Sequence, residues 1–277
     1  MKISVLTLFP KMISGFFEES IVKRAQEKKL VQIELVNLRD FAIDDYRSVD
    51  DRPYGGGAGM IMRIDVIYKA LVSVIPNLLV PRSPKDEVGF RDLSSKKQML
   101  KRVQHDKVKT ILTSPKGKVF DQQLAVNYSK LNHLIIISGH YEGVDERVRD
   151  FVDEEVSLGD FVMTGGEITA SAIVDSVVRL LPGALKKEEA TVLESLMSIS
   201  IKHLIEIIGG NKLVNKLSEK GVKEVKLLEY PQYTRPENFK GKKVPEVLLS
   251  GNHKEIEKWR LKKAFEETLK KRPDLLS

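Results

Sequence analysis

The chain has 277 residues, no cysteine and a formal net charge of +7. That length allows one large domain or two smaller ones, with a core that needs no covalent staples. The missing thiol excludes disulfides, thiolate metal sites and a cysteine nucleophile. No apolar stretch is long enough to cross a bilayer. The opening run MKISVLTLFPKM is too short for a secretory signal and is cut by Pro10, so a soluble, cytoplasmic protein is expected. The charge is unevenly placed. From Met197 onwards 18 Lys and Arg face 11 Asp and Glu, which accounts for the whole excess and leaves residues 1–196 balanced. A basic end on a neutral body points to a polyanionic partner, although a solvated lysine-rich surface has the same composition.

In chain order, KISVLTL (2–8) reads as a buried strand. PKMISGFFEESIVKRAQEKK (10–29) reads as one helix, with Met12, Phe16, Phe17 and Ile21 on an apolar face. VQIELVNL (31–38) alternates as a strand, residues 39–60 form a polar, glycine-rich loop, and IDVIYKALVSVI (64–75) is helical. Segment 81–107 has nine basic residues, counting His105, to four acidic ones, and little apolar periodicity. It reads as an inserted surface segment. KTILTS (109–114), HLIIIS (133–138) and EEVSL (154–158) read as strands; DQQLAVNYSKL (121–131), the short VDERVRDFV (144–152) and ITASAIVDSVVRLL (168–181) read as helical. The repeated βαβ order, with central strands apolar on both faces, predicts an α/β fold: a parallel sheet with helices on both sides.

Residues 186–228 are rich in Lys and Glu and interrupted by GGNK. They are expected to be an extended linker with some helical content, between a domain at 1–185 and a small, basic, mainly helical domain at 229–277. The last helix of the latter, from about His253, places Ile256, Trp259, Phe265 and Leu269 near one face.

Three loops follow three strands: SPKGK (114–118), SGHYEGVDER (138–147) and LGDFVMTGGE (158–167). In an open parallel sheet they share the carboxyl edge, where ligands bind. The phosphate-cradling GxxxxGK[ST] and the dinucleotide GxGxxG are both absent. The loops lack the dense cations a triphosphate needs. They offer backbone amides and carbonyls, the aromatic rings of Tyr141 and Phe161, and the carboxylates of Glu142 and Asp160. That mix suits an uncharged ring with polar edges, such as adenine. For any one loop, tight turns alone would account for the glycines. A fourth glycine-rich loop, DDRPYGGGAG (50–59), is either a ribbon that folds over a pocket or an exposed turn. The five histidines (105, 133, 140, 203, 253) are scattered, so no metal site is expected. No Ser/His/Asp constellation is legible.

VDDRPYGGGAGM, GHYEGVDERV, SLGDFVMTGGE, DSVVRLLPGAL and YPQYTRPENFKGKKVPEVLLSGNHKEIEKWR together resemble the bacterial tRNA (guanine-N1)-methyltransferases, the TrmD family of the SPOUT class. The resemblance covers residues 1–80, 108–196 and 228–277. It implies a deep trefoil knot in the carboxyl half of the sheet, a threading otherwise very rare. It implies S-adenosyl-L-methionine bent among the three loops, held by Leu112, Thr113, Ser114, Pro115, Gly117, Gly139, Tyr141, Glu142, Gly143, Leu158, Gly159, Asp160, Phe161, Val162, Met163, Gly165 and Gly166. It implies an obligate homodimer, with each active site completed by the partner subunit. The implied substrate is tRNA with a guanosine at position 37, just 3′ of the anticodon and preceded by another guanosine. The basic C-terminal domain would hold the anticodon stem. Magnesium enters only by analogy with the family.

The implied reaction needs a base, because N1 of guanine carries a proton. As that proton leaves, charge spreads to O6, where a fixed arginine stabilises it. By resemblance the arginine is Arg179. The family's base is an aspartate in an E-D-S-F setting; here the stretch is EEATVLESL and Glu194 takes its place, followed by Leu196 for the phenylalanine. There is no aspartate between Asp175 and Asp274. The extra methylene moves the carboxylate, and a misplacement of ~1 Å can slow a reaction on the order of a hundredfold. His140 and Thr169 also stand where many members have arginine and proline. Residues 81–107 and 197–225 read as additions to the family pattern. The alternative expectation is a tRNA- or cofactor-binding homologue without turnover. A nucleotide hydrolase would need phosphate and magnesium machinery that the sequence does not display.

Overall fold

The computed structural model describes residues 1–75, 107–185, 195–209 and 212–276. The segment 81–107, expected as a surface insertion, falls outside these except for Lys107. The chain divides into two compact units, Met1–Lys186 and Lys187–Ser277.

The first unit is built on five parallel strands: β1 (Lys2–Thr7), β2 (Gln32–Asn37), β5 (Val108–Val119), β6 (His133–Ser138) and β7 (Glu154–Ser157). Their order across the sheet is β2-β1-β6-β5-β7. The strands carry apolar side chains on both faces. Ile3, Val5, Ile111, Leu134 and Ile136 enter one core, with helices α1 (Pro10–Phe17), α2 (Ser20–Glu27), α4 (Gln122–Tyr128) and α5 (Glu167–Val178). Leu6, Leu112, Ile135 and Ile137 enter the other, against α3 (Ile64–Val74). Each fully buried Leu, Ile or Val contributes roughly 1.5–3 kcal/mol of transfer free energy, so a two-faced sheet is the natural outcome of such strands. Between β2 and β5 in sequence, the two-residue strands β3 (Asp50–Asp51) and β4 (Ile61–Met62) pair antiparallel.

The helix expected over 10–29 is two helices. Ser20 adopts a left-handed φ of 53°, which ends one rod and starts another at a new angle. Pro10 opens α1, where its missing N–H is harmless. Two reversals of strand order matter for function. The chain fills one side of β1 with β2 and later the other with β6; it then places β6 and β7 on opposite sides of β5. Crevices open at such switch points. β5 also breaks step. Thr113 and Lys118 both lie opposite Val156, so residues 114–117 loop out between two paired stretches of one strand.

In the second unit, β8 (Met197–Ser200) pairs antiparallel with β9 (Glu224–Leu227). α6 (Ile201–Ile208) and α7 (Lys212–Glu219) lie between them in sequence. A hairpin follows, β10 (Asn238–Phe239) with β11 (Lys242–Lys243), then α8 (Glu246–Leu249) and α9 (His253–Lys271). Ile201, Leu204, Val214, Leu217, Val225 and Leu227 share one core with Ala264, Phe265 and Leu276. Of the linker expected over 186–228, the described residues 195–209 and 212–228 are thus largely folded into this unit. Their apolar residues recur at helical spacing, and the α9 face completes them. That face also differs from expectation: Ala264, Phe265 and Thr268 are buried, while Leu269 is 46% exposed. Thr268 joins the pieces, donating to the Ala264 carbonyl at 2.7 Å and accepting from the Leu228 amide at 2.8 Å.

Candidate functional site

A cleft of about 260 Å³ opens at the carboxyl ends of β5, β6 and β7, at the second switch point. The residues singled out from the sequence that line it are Leu112, Thr113, Ser114, Pro115, Gly139, Tyr141, Glu142, Gly143, Leu158, Gly159, Phe161, Val162, Met163, Gly165 and Gly166. Gly117 and Asp160 do not. Gly117 instead lets β5 return to the sheet, because a Cβ there would collide with the β7 backbone at Glu155 and Val156. Asp160 is exposed on the loop.

The loops are tied by backbone. The Gly166 amide donates to the Gly139 carbonyl at 2.7 Å, and the Gly139 amide donates to Thr113 Oγ1 at 3.1 Å. His140 and Gly165 form a β-bridge. The segment entering α5 therefore runs against the ends of both β5 and β6. It fits because Gly166 has no side chain: a Cβ would meet Thr113 Oγ1 and, at 2.9 Å, the Gly139 amide. The glycine-rich loop 50–59 leads into the same place. The Glu142 amide donates to the Met60 carbonyl at 3.2 Å, and Met62 exchanges bonds with Gly143 and Asp145 at 3.0 Å each. Tyr141 sits between these ties at a φ of 58°. A non-glycine residue held there stores on the order of 1–3 kcal/mol of strain, as segments shaped for a ligand often do.

The charges around the cleft are mixed and net acidic: Glu142, Glu146 and Glu155 against Lys116 and Arg149. Arg149 is engaged by Glu146 and, at 2.8 Å, by Glu155. Glu142 pairs with no cation among the described residues. Such a field favours a ligand with positive charge over a polyphosphate. Beneath the cleft Glu167, 1% exposed, accepts the Thr7 hydroxyl on Oε1 at 2.9 Å. Its Oε2 lies 3.6 Å from His140 Nδ1. Among the described residues no three His, Asp or Glu side chains gather as a metal site would require.

Of the two expected chemical groups, the described residues include Arg179 alone, and it does not line the cleft. Arg179 is the half-buried cap at the far end of α5, whose other end adjoins the cleft. Twelve helical residues span about 18 Å. Glu194 lies outside the described residues. Reading by loops passed over Lys116, Arg149, Glu155, Thr164, Thr169 and His140 as lining residues. His140 had a signal, since it stands inside a motif loop. Arg149 and Glu155 are close only because β7 lies beside β5.

Fold and site define an α/β protein whose ligand cleft is made from glycine-containing loops at the carboxyl edge of a parallel sheet. A profile of the family described as tRNA (Guanine-1)-methyltransferase TrmD matches residues 1–88, 92–207 and 199–277. Those matches run through all of 197–225 and all but 89–91 of 81–107, the stretches read as additions. Similar curated proteins, each called tRNA (guanine-N(1)-)-methyltransferase, come from Dictyoglomus turgidum, Carboxydothermus hydrogenoformans and Clostridium botulinum. They are 43%, 44% and 43% identical over 276, 277 and 279 residues. The alignments cover 100%, 100% and 99% of this chain and 90%, 87% and 92% of the relatives. The chain belongs to the tRNA (guanine-1)-methyltransferase family.

Proposed function

We propose that this protein transfers a methyl group from S-adenosyl-L-methionine to N1 of the guanosine at tRNA position 37, 3′ of the anticodon. The observation that carries the reading is a glycine-walled cleft with a carboxylate, Glu142, that pairs with no cation among the described residues, in a chain matched end to end by enzymes of that name. The residues fit the cofactor. Backbone groups of the three loops suit adenine and the methionine chain, and Glu142 suits the positive charge of the sulfonium and the ammonium group. When bound, the cofactor supplies a methyl group activated by its sulfonium.

The chain's own part is to place and deprotonate. Holding N1 in line with the methyl removes most of the entropic barrier. Glu194 takes the N1 proton; a positioned base of this kind is worth roughly 10²–10⁴ in rate. The partner's Arg179 stabilises the charge that reaches O6. The distance along α5 from the cleft to Arg179 supports a site shared by two subunits, since the arginine must come from elsewhere. The fit of Gly165–Gly166 against β5 and β6 supports the trefoil knot. The basic second unit takes the tRNA phosphates, and such a substrate places the enzyme in the cytoplasm.

Labelled S-adenosyl-L-methionine is offered with two tRNA transcripts, one with guanosine 3′ of the anticodon and one with adenosine there. Label on the first alone is expected. Cofactor binding without label on either transcript would overturn the reading in favour of a binding protein.

A further inference from the structure

Among the described residues four buried side-chain polar atoms of the first unit make no hydrogen bond, His133 Nδ1, Ser138 Oγ, His140 Nδ1 and Glu167 Oε2, and the last two face each other 3.6 Å apart. Buried polar groups are almost always satisfied, so a facing pair of orphans asks for an explanation. A proton on Nδ1 supplies one, because it converts the pair into a charge-assisted donor and acceptor. We propose that Glu167 is a positioning residue that holds the proton of neutral His140 on Nδ1, so that the other ring nitrogen offers a lone pair to an N–H donor of the ligand in the cleft. The inference rests on the methyltransferase reading for the identity of that ligand.

Three features converge on this tautomer. Glu167 is built in as an acceptor. Thr7 Oγ1 already accepts the Phe9 amide at 3.0 Å, so its own proton goes to Glu167 Oε1 at 2.9 Å, leaving Oε2 for the imidazole. The ring is held in place. Phe9 packs on it at 4.9 Å and Tyr141 at 5.1 Å, and the His140 amide points to Met62 Sδ at 3.2 Å. The space is reserved. A Cβ on Gly165 would collide with both His140 Nδ1 and Glu167 Oε2, so the pair meets only beside a glycine. A neutral imidazole protonated on one nitrogen accepts on the other. His140 lines the cleft, so that acceptor serves an N–H group there. The cofactor's amines and the guanine both carry one.

The tautomer is read directly by nitrogen NMR of isotope-labelled histidine in the full-length protein, with His140 assigned by the difference from His140→Asn. The expected wild-type signal is a protonated Nδ1 and a bare Nε2. A proton on Nε2 instead, or on both nitrogens near neutral pH, would overturn the proposal, and neither result depends on activity. In Glu167→Gln the carbonyl stays with the Thr7 proton and the amide turns to Nδ1, so the proton is expected to move to Nε2. The ligand then meets a donor where it had an acceptor, a loss of roughly tenfold. A rise in cofactor Kd assigns the N–H to the cofactor; a rise in KM for tRNA alone assigns it to guanine. A folded Glu167→Gln with a switched tautomer and neither constant changed would defeat the ligand-facing half. If wild type neither binds cofactor nor methylates, the function reading fails while the tautomer stays measurable.

Discussion

In the first unit the cleft is made mostly of backbone. Its amides and carbonyls are locked to one another, Glu167 beneath it is buried, and its shape depends on what glycine leaves out. In the second unit the corresponding groups stand in water. Lys240, Lys242, Lys243, Lys254, Lys258 and Lys262 are all exposed, over a core shared with α6, α7, β8 and β9. The first should therefore respond to a single added methyl group and to acid, and the exposed lysines of the second to salt. The proposed cofactor, of fixed shape, and the proposed polyanionic substrate would call for these two kinds of surface.

The contrast breaks most sharply at Gly166. Gly166→Val places carbon against Thr113 Oγ1 and the Gly139 amide. Overpacking of this kind costs about 1–3 kcal/mol or more, and here it also closes the cleft. Thermal melts should fall and calorimetric cofactor binding should vanish. Retained binding would show that the loops are not locked. Arg179→Ala is next. Methyl transfer should drop by about 10²–10³ while cofactor Kd holds. If each site is shared between two subunits as proposed, mixing it with a Gly166 variant should restore part of the rate, because one site of a mixed dimer would be complete. No restoration would place the arginine's action within its own subunit.

Acid probes the buried side of the comparison. Burial, followed by the nearby Lys2 charge, pushes His133 down to about 4. Between its ordinary value of 6.5 and about 4 the unfolded chain binds a proton that the folded chain refuses. Stability is therefore complete above that window and is lost as pH falls through it, by about 2–3 kcal/mol. Denaturant titrations of wild type and His133→Gln should converge as pH falls from 7 to 4. Parallel curves would deny the effect. Smallest are Lys254→Ala and Lys258→Ala, one turn apart on α9. Each should weaken tRNA binding modestly and reduce the slope of log K against log salt by about 1, leaving cofactor Kd unchanged.

Local pattern alone placed the five sheet strands and most of the helices, because continuous apolar runs declare strands buried on both faces and a spacing of 3.6 residues declares a helix. The three strand-end loops were legible for the same reason: a parallel sheet sends all its carboxyl ends to one edge. Composition likewise placed the charge excess in the C-terminal part. Tertiary structure decided what periodicity could not. The break at Ser20 is a backbone angle with no apolar signature. The looping-out of 114–117 depends on β7 accepting β5 twice. The folding of 195–209 and 212–228 into the second unit depends on α9, far away in sequence, supplying the other half of its core. His140 and Glu167 are 27 positions apart, and only the crossing at Gly165 brings them together. Sequence determines where each segment hides its apolar face; which polar atoms then confront one another is settled by the packing of segments distant along the chain.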